Sequence, residues 1–86
     1  MYKLNRTDVL LMNILYNWQS VNPADGITID EMMVHIRDDP NSKSRMTIYR
    51  RLKGLVAAEY IAKGILADKA DTFYLLDKGK TFISKK

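Results

Sequence analysis

The chain has 86 residues, 47% hydrophobic and 28% charged, a balance that suits a small globular protein rather than a disordered one. It carries no cysteine, which excludes disulfides, thiolate metal sites and a cysteine nucleophile. A chain this short buries only about 60–65% of its unfolded surface, so a multidomain enzyme with a large substrate cavity is not expected. The net charge of +4 is unevenly spread: residues 43–63 hold six basic residues against Glu59 alone, whereas residues 1–42 hold three basic against six acidic. Such asymmetry points to a polyanionic partner.

The first helix is expected to start at Asn5, which can cap it together with Asp8 three residues on. Leu11, Ile14, Leu15 and Trp18 recur at helical spacing and predict a core-facing stripe. Val9, Met12 and Tyr16 form a second stripe about 100–140° around the same helix. Either another segment of this chain covers that second face or another subunit does. The longest charge-free stretch, Val9 to Ala24, is interrupted by Asn13, Asn17, Gln19, Ser20, Asn22 and Pro23, so no membrane span is expected. No basic patch followed by an apolar run opens the chain, so no secretory signal is expected, and the location expected is cytoplasmic.

After the break at Asn22-Pro23-Ala24-Asp25-Gly26, Ile27 suits a very short strand. Thr28-Ile29-Asp30-Glu31 reads as a capping box, with Ile29, Met32, Met33 and Ile36 as the inner face of a second helix that Asp38-Asp39-Pro40 ends. A third helix begins at Ser42 or Ser44 and runs to about Ala58. Its buried stripe is Ile48, Leu52, Leu55 and Val56, with Tyr49 at the edge and packed on the core. Lys43, Met46, Thr47, Arg50, Gly54 and Ala57 point the opposite way, flanked by Arg51 and Lys53. Two strands near Tyr60–Leu66 and Thr72–Leu76 suit a hairpin whose loop, Ala67 to Asp71, is longer than the tight two-residue kind. Asp77 then caps a last helix from Lys78 to about Ser84, with Phe82 and Ile83 facing inward.

This order of elements resembles the winged helix-turn-helix fold, and so do the residues. Ser44-Arg45-Met46-Thr47-Ile48-Tyr49-Arg50-Arg51-Leu52 and Leu55-Val56-Ala57-Ala58-Glu59-Tyr60-Ile61 resemble the recognition helix and strand entry of such regulators. Tyr74-Leu75-Leu76-Asp77-Lys78-Gly79-Lys80 resembles the exit from the wing. MarR- and PadR-type repressors are the nearest comparison. The resemblance implies an α+β fold: a three-helix core with a short strand, a two-stranded wing and a short C-terminal helix, with residues 1–86 as one DNA-binding domain. Two departures stand out. Glu59 sits where a glycine usually takes left-handed backbone, and Asp38 to Lys43 is longer than the usual turn of about 3–4 residues.

On that basis the third helix is expected in the major groove of double-stranded DNA, whose base edges present a readable pattern of donors and acceptors. Arg50 is the candidate for bidentate contact to guanine, and Thr47 and Met46 share its face. Ser44 and Lys43, near the helix start, suit phosphates; Arg45, Arg51 and Lys53 supply flanking charge, and Lys69 sits at the hairpin tip. A single outward Arg or Lys is more often a solvated face than a ligand; five between residues 43 and 53 shift the group towards binding. One recognition helix reads few base pairs, so a homodimer is expected, with Val9, Met12, Tyr16, Phe82 and Ile83 as its interface. No enzyme, metal or cofactor is expected. His35 with Glu31 gives two ligands where zinc needs more, and the glycines at 26, 54, 64 and 79 form no phosphate loop. The alternatives are a winged-helix module that binds another protein, or a replication or partition protein using the same DNA contacts.

Overall fold

A computed structural model describes residues 2–37 and 43–84. The expected stop of the second helix at Asp38-Asp39-Pro40, and most of the long turn after it, lie outside the described residues. The elements are α1 (Arg6–Asn17), a 3-10 turn (Pro23–Asp25), β1 (Ile27–Thr28), α2 (Ile29–Ile36), α3 (Arg45–Ala57), β2 (Ile61–Lys63), β3 (Thr72–Leu75) and α4 (Asp77–Ser84).

Each of the first three helices starts on the residue that can satisfy its free amides. Asn5 Oδ1 accepts from the Asp8 N–H at 2.9 Å, and the Asp8 carboxylate accepts from the Asn5 N–H at 2.9 Å. Thr28 and Glu31 make the same reciprocal box at 3.2 and 2.9 Å, and Ser44 caps α3 through the Thr47 N–H. The helix ends are less expected. At the end of α1 the Gln19 and Ser20 amides bond back to Tyr16 and Leu15; at the end of α3 the Glu59 and Tyr60 amides bond back to Val56 and Leu55. Both are Schellman closures, and both place a non-glycine residue in left-handed backbone, Gln19 at φ 56° and Glu59 at φ 66°. The corner at Glu59 is therefore built as a glycine would build it, with side-chain strain accepted in its place.

The sheet is antiparallel with order β1-β3-β2, so the strand nearest the C-terminus lies in the middle. Ile27 and Lys63 both face Phe73, and Ile61 faces Leu75. Ser20 ties α1 to this sheet: its hydroxyl donates to the Phe73 carbonyl at 3.0 Å and its carbonyl accepts from the Leu75 N–H at 2.7 Å. The core gathers Leu11, Ile14 and Leu15 of α1, Ile29, Met32 and Ile36 of α2, Ile48, Leu52 and Leu55 of α3, and Ile61, Phe73, Leu75 and Ile83. Among the described residues, no buried side-chain nitrogen or oxygen lacks a hydrogen-bond partner.

Several expectations are corrected by the packing. Trp18 is not part of the core stripe: α1 ends at Asn17, and the indole is 54% exposed, in a T-shaped pair with the His35 ring at 4.5 Å between centres. Met12 is fully buried within this chain, because α1 packs against α3, α4 and β3 and so has more than one face covered. Ile83 is buried as well, so neither side chain lies on the surface of this chain. Of the five interface residues expected, Tyr16 and Phe82 are exposed and Val9 is half-buried; Phe82, expected inward, lies edge-on to Tyr60 at 6.3 Å. Met33 and Val56 are only half-buried. The hairpin tip is also tighter than expected. Ala67 and Ala70 bond reciprocally at 3.0 and 2.8 Å, leaving Asp68 and Lys69 as a two-residue turn with φ 49° and 72°, the positive values a type I′ turn requires.

Candidate nucleic-acid interface

The polar face of α3 follows from its sequence period. Ile48, Leu52 and Leu55 are fully buried, so residues half a turn away must face solvent. Lys43, Ser44, Arg45, Met46, Tyr49, Arg50, Lys53 and Ala57 are exposed, and Met46, an apolar side chain, is 60% exposed. Arg50 has no ion-pair partner among the described residues. Lys53 is the next cation along this face, with its ammonium 5.5 Å from the centre of the Tyr49 ring. Tyr49, expected at the edge of the buried stripe and packed on the core, is exposed at its rim, one position beyond Ile48.

Other expected site residues are already engaged. The Ser44 hydroxyl caps α3 and also donates to Thr47 Oγ1 at 3.1 Å, and Thr47 is half-buried. Arg45 pairs with Asp30 at 3.1 Å, both largely exposed. Such a surface pair is worth about 0–1 kcal/mol, so it restrains Arg45 little. Lys69 is exposed at the hairpin tip, beside Asp68. Between α3 and the hairpin runs a groove lined by Thr28, Asp30, Arg45, Tyr49, Ala70 and Asp71. Asp71 in turn pairs with Lys63 at 3.4 Å. This flank of α3 therefore carries acid as well as base.

Arg51 departs furthest from expectation. Its Nε donates to Asp8 Oδ1 at 2.8 Å, and its Nη2 makes a very short contact with Asp8 Oδ2 and donates to the Lys3 carbonyl at 3.2 Å. Asp8 is fully buried and also accepts from the Tyr2 hydroxyl at 3.1 Å. The hydrogen bond with Asp8 raises the Arg51 pKa further above its ordinary value, outweighing desolvation. Burial, and then the Asp8 charge, push the Tyr2 phenol up to about 12. Arg51 is thus a fastening between α3 and α1 rather than flanking charge. Tyr2 completes the fastening: its ring lies 4.9 Å from the Arg51 guanidinium and covers Gly54 so closely that a Cβ there would sit 2.4 Å from Tyr2 Cε1. Gly54, expected to point outward, is the floor under this ring. Sequence reasoning missed Tyr2 altogether and found only one of the two roles of Asp8. The partners lie 43 and 49 residues apart along the chain, beyond any local pattern.

No protein-family model and no curated protein matches this chain. Solved structures do. TubR from Bacillus megaterium pBM400 is similar with a TM-score of 0.80 at 18% identity, over 96% of this chain and 86% of that one. A PadR family transcription regulator from Clostridium difficile R20291 is similar with a TM-score of 0.76 at 17% identity, over 94% and 82%. The ferric uptake regulator of Vibrio cholerae, a protein with DNA-binding domains, gives 0.68 at 16% identity, over 85% of this chain and 53% of that one. At these identities the likeness is one of fold: an α+β winged helix of four helices and a three-stranded antiparallel sheet, with the β2–β3 hairpin as the wing.

Proposed function

We propose that this chain is a sequence-specific binder of double-stranded DNA that acts as a small transcriptional repressor, two copies each laying α3 in the major groove. One observation carries the reading. On a winged-helix frame, the outward face of α3 holds Met46, Arg50 and Lys53, all three exposed and none in an ion pair among the described residues. A groove about 12 Å wide accepts one helix, and Arg50 at its centre line can offer a planar fork to guanine, with Met46 beside it for a thymine methyl. Lys43 and Lys53 suit phosphates on either side. The three solved relatives include a transcription regulator and a protein with DNA-binding domains, which favours the same reading.

The test is a fluorescence-anisotropy titration against duplexes selected from a random pool, run at two salt concentrations. Counterion release makes the affinity fall steeply with salt, and selected duplexes bind more tightly than random ones. Equal, weak binding to all duplexes at low salt would overturn the proposal. It would favour the second reading, a protein-binding winged helix, which the wing supports: Ile65 and Leu66 are 63% and 59% exposed there, with Lys69 as the nearest cation of the tip.

A further inference from the structure

Resting on that reading, we propose that the segment before α1 is a second nucleic-acid-contacting element, in which Tyr2, docked on Gly54 and Arg51, holds Lys3 against a backbone phosphate beside α3. The burial pattern sets the arm in place. Tyr2 and Leu4 are half-buried against the core while Lys3 between them is exposed. The arm is pinned to α3 at three points: the Tyr2 ring on Gly54, the Tyr2 hydroxyl near the Arg51 carbonyl at 3.5 Å, and the Arg51 guanidinium on the Lys3 carbonyl at 3.2 Å. Arg51, Asp8 and Gly54 are positioning residues here; Lys3 is the contacting one.

The location matters more than the charge. On a helical wheel of about 100° per residue, Met46, Arg50 and Ala57 mark the outward line of α3. Arg45 and Tyr49 lie to one side of it, towards the wing residues Ala70 and Asp71. Arg51 and Gly54 lie to the other side, under the arm. A helix about 10–12 Å across in a groove of about 12 Å has a phosphate backbone along each flank. The wing, with Lys69, meets one backbone; the arm, with Lys3, meets the other. Gly54 belongs to the second half of α3, where a helix that reads bases with its first turns is leaving the groove and passing over phosphates. Asp8, the acid nearest Lys3 along the sequence, raises no barrier, because it is enclosed and paired with Arg51. Lys3 has no ion-pair partner among the described residues.

The experiment measures the slope of log affinity against log salt on one random duplex for the wild type, Lys3→Ala, Tyr2→Ala and the double variant, with Lys53→Ala as reference. A phosphate contact lowers the slope by about 0.9 when removed, so Lys3→Ala is expected to lose that amount and several-fold in affinity. In Tyr2→Ala the same loss is expected, and adding Lys3→Ala to it changes nothing further, since an undocked arm no longer presents the lysine. Gly54→Ala, which displaces the same ring, repeats the coupling if Tyr2→Ala unfolds. An unchanged slope in Lys3→Ala beside a reduced one in Lys53→Ala overturns the arm and leaves the DNA reading standing. A Lys3 effect that persists undiminished without Tyr2 overturns the docking. A wild type that binds no duplex ends both.

Discussion

Arg50 and Arg51 are adjacent in sequence, equally charged, and placed in opposite surroundings. One residue of helix turns the side chain by about 100°, enough to move it from solvent to the buried carboxylate of Asp8. Arg51→Ala is therefore expected to destabilise the fold by about 3–5 kcal/mol, the cost of leaving a buried acid unpaired, as read from the urea unfolding midpoint. Arg50→Ala should leave stability within about 0.5 kcal/mol. Its effect falls on binding instead: a loss of about 1–3 kcal/mol and relaxed preference at one base position, against a uniform loss for Lys53→Ala, read by titration on a panel of single-base variants. The stripe of Ile48, Leu52 and Leu55 was legible because it repeats locally. The fate of Arg51 was not, since nothing near it in sequence differs between an exposed arginine and a paired one.

At the scale of elements, the caps at Asn5 and Thr28 were readable, since a cap is a contact between residues three apart, and the structure chose Ser44 over Ser42 for the third. The helix ends were harder, because a Schellman closure with glutamine or glutamate carries no glycine to mark it. Glu59→Gly should relieve the left-handed strain, offset in part by the freedom glycine gives the unfolded chain. The net gain expected is about 0.5–1 kcal/mol, or a Tm rise of about 2–8 °C by calorimetry for a domain of this size. The arm before α1 predicts a pH effect. The Tyr2 phenol titrates near 10.0 when unfolded and at about 12 in the fold. The protonated phenol is thus favoured by folding: its contribution is complete below pH 10 and is lost as pH rises through 12. The wild type should lose stability across that window more steeply than Tyr2→Phe, as measured by denaturant midpoints at stepped pH.

Across the whole molecule, the dimer part of the proposal now rests on fewer residues. With Met12 and Ile83 enclosed, Tyr16 and Phe82 carry it together with half-buried Val9. Tyr16→Glu should convert a dimer to a monomer in light scattering without unfolding it, since the ring is exposed; a particle mass that does not change removes Tyr16 from the interface. The same variant should lower the affinity for a two-half-site duplex much more than for a single half-site, because the second α3 is no longer carried along.

The order of the elements and their inner faces are written in the sequence. Periodic apolar residues fix which face of each helix turns inward, caps and breakers fix where elements begin, and the cationic run at residues 43–53 falls on the helix whose other face is buried. Only the tertiary structure decided which members of that run remain available. Those choices depend on groups far apart in the chain: Asp8 claims Arg51, Tyr2 covers Gly54, and the packing of α1 against α3, α4 and β3 encloses Met12. The energy of such contacts depends on distance in space, and local sequence patterns encode only distance along the chain.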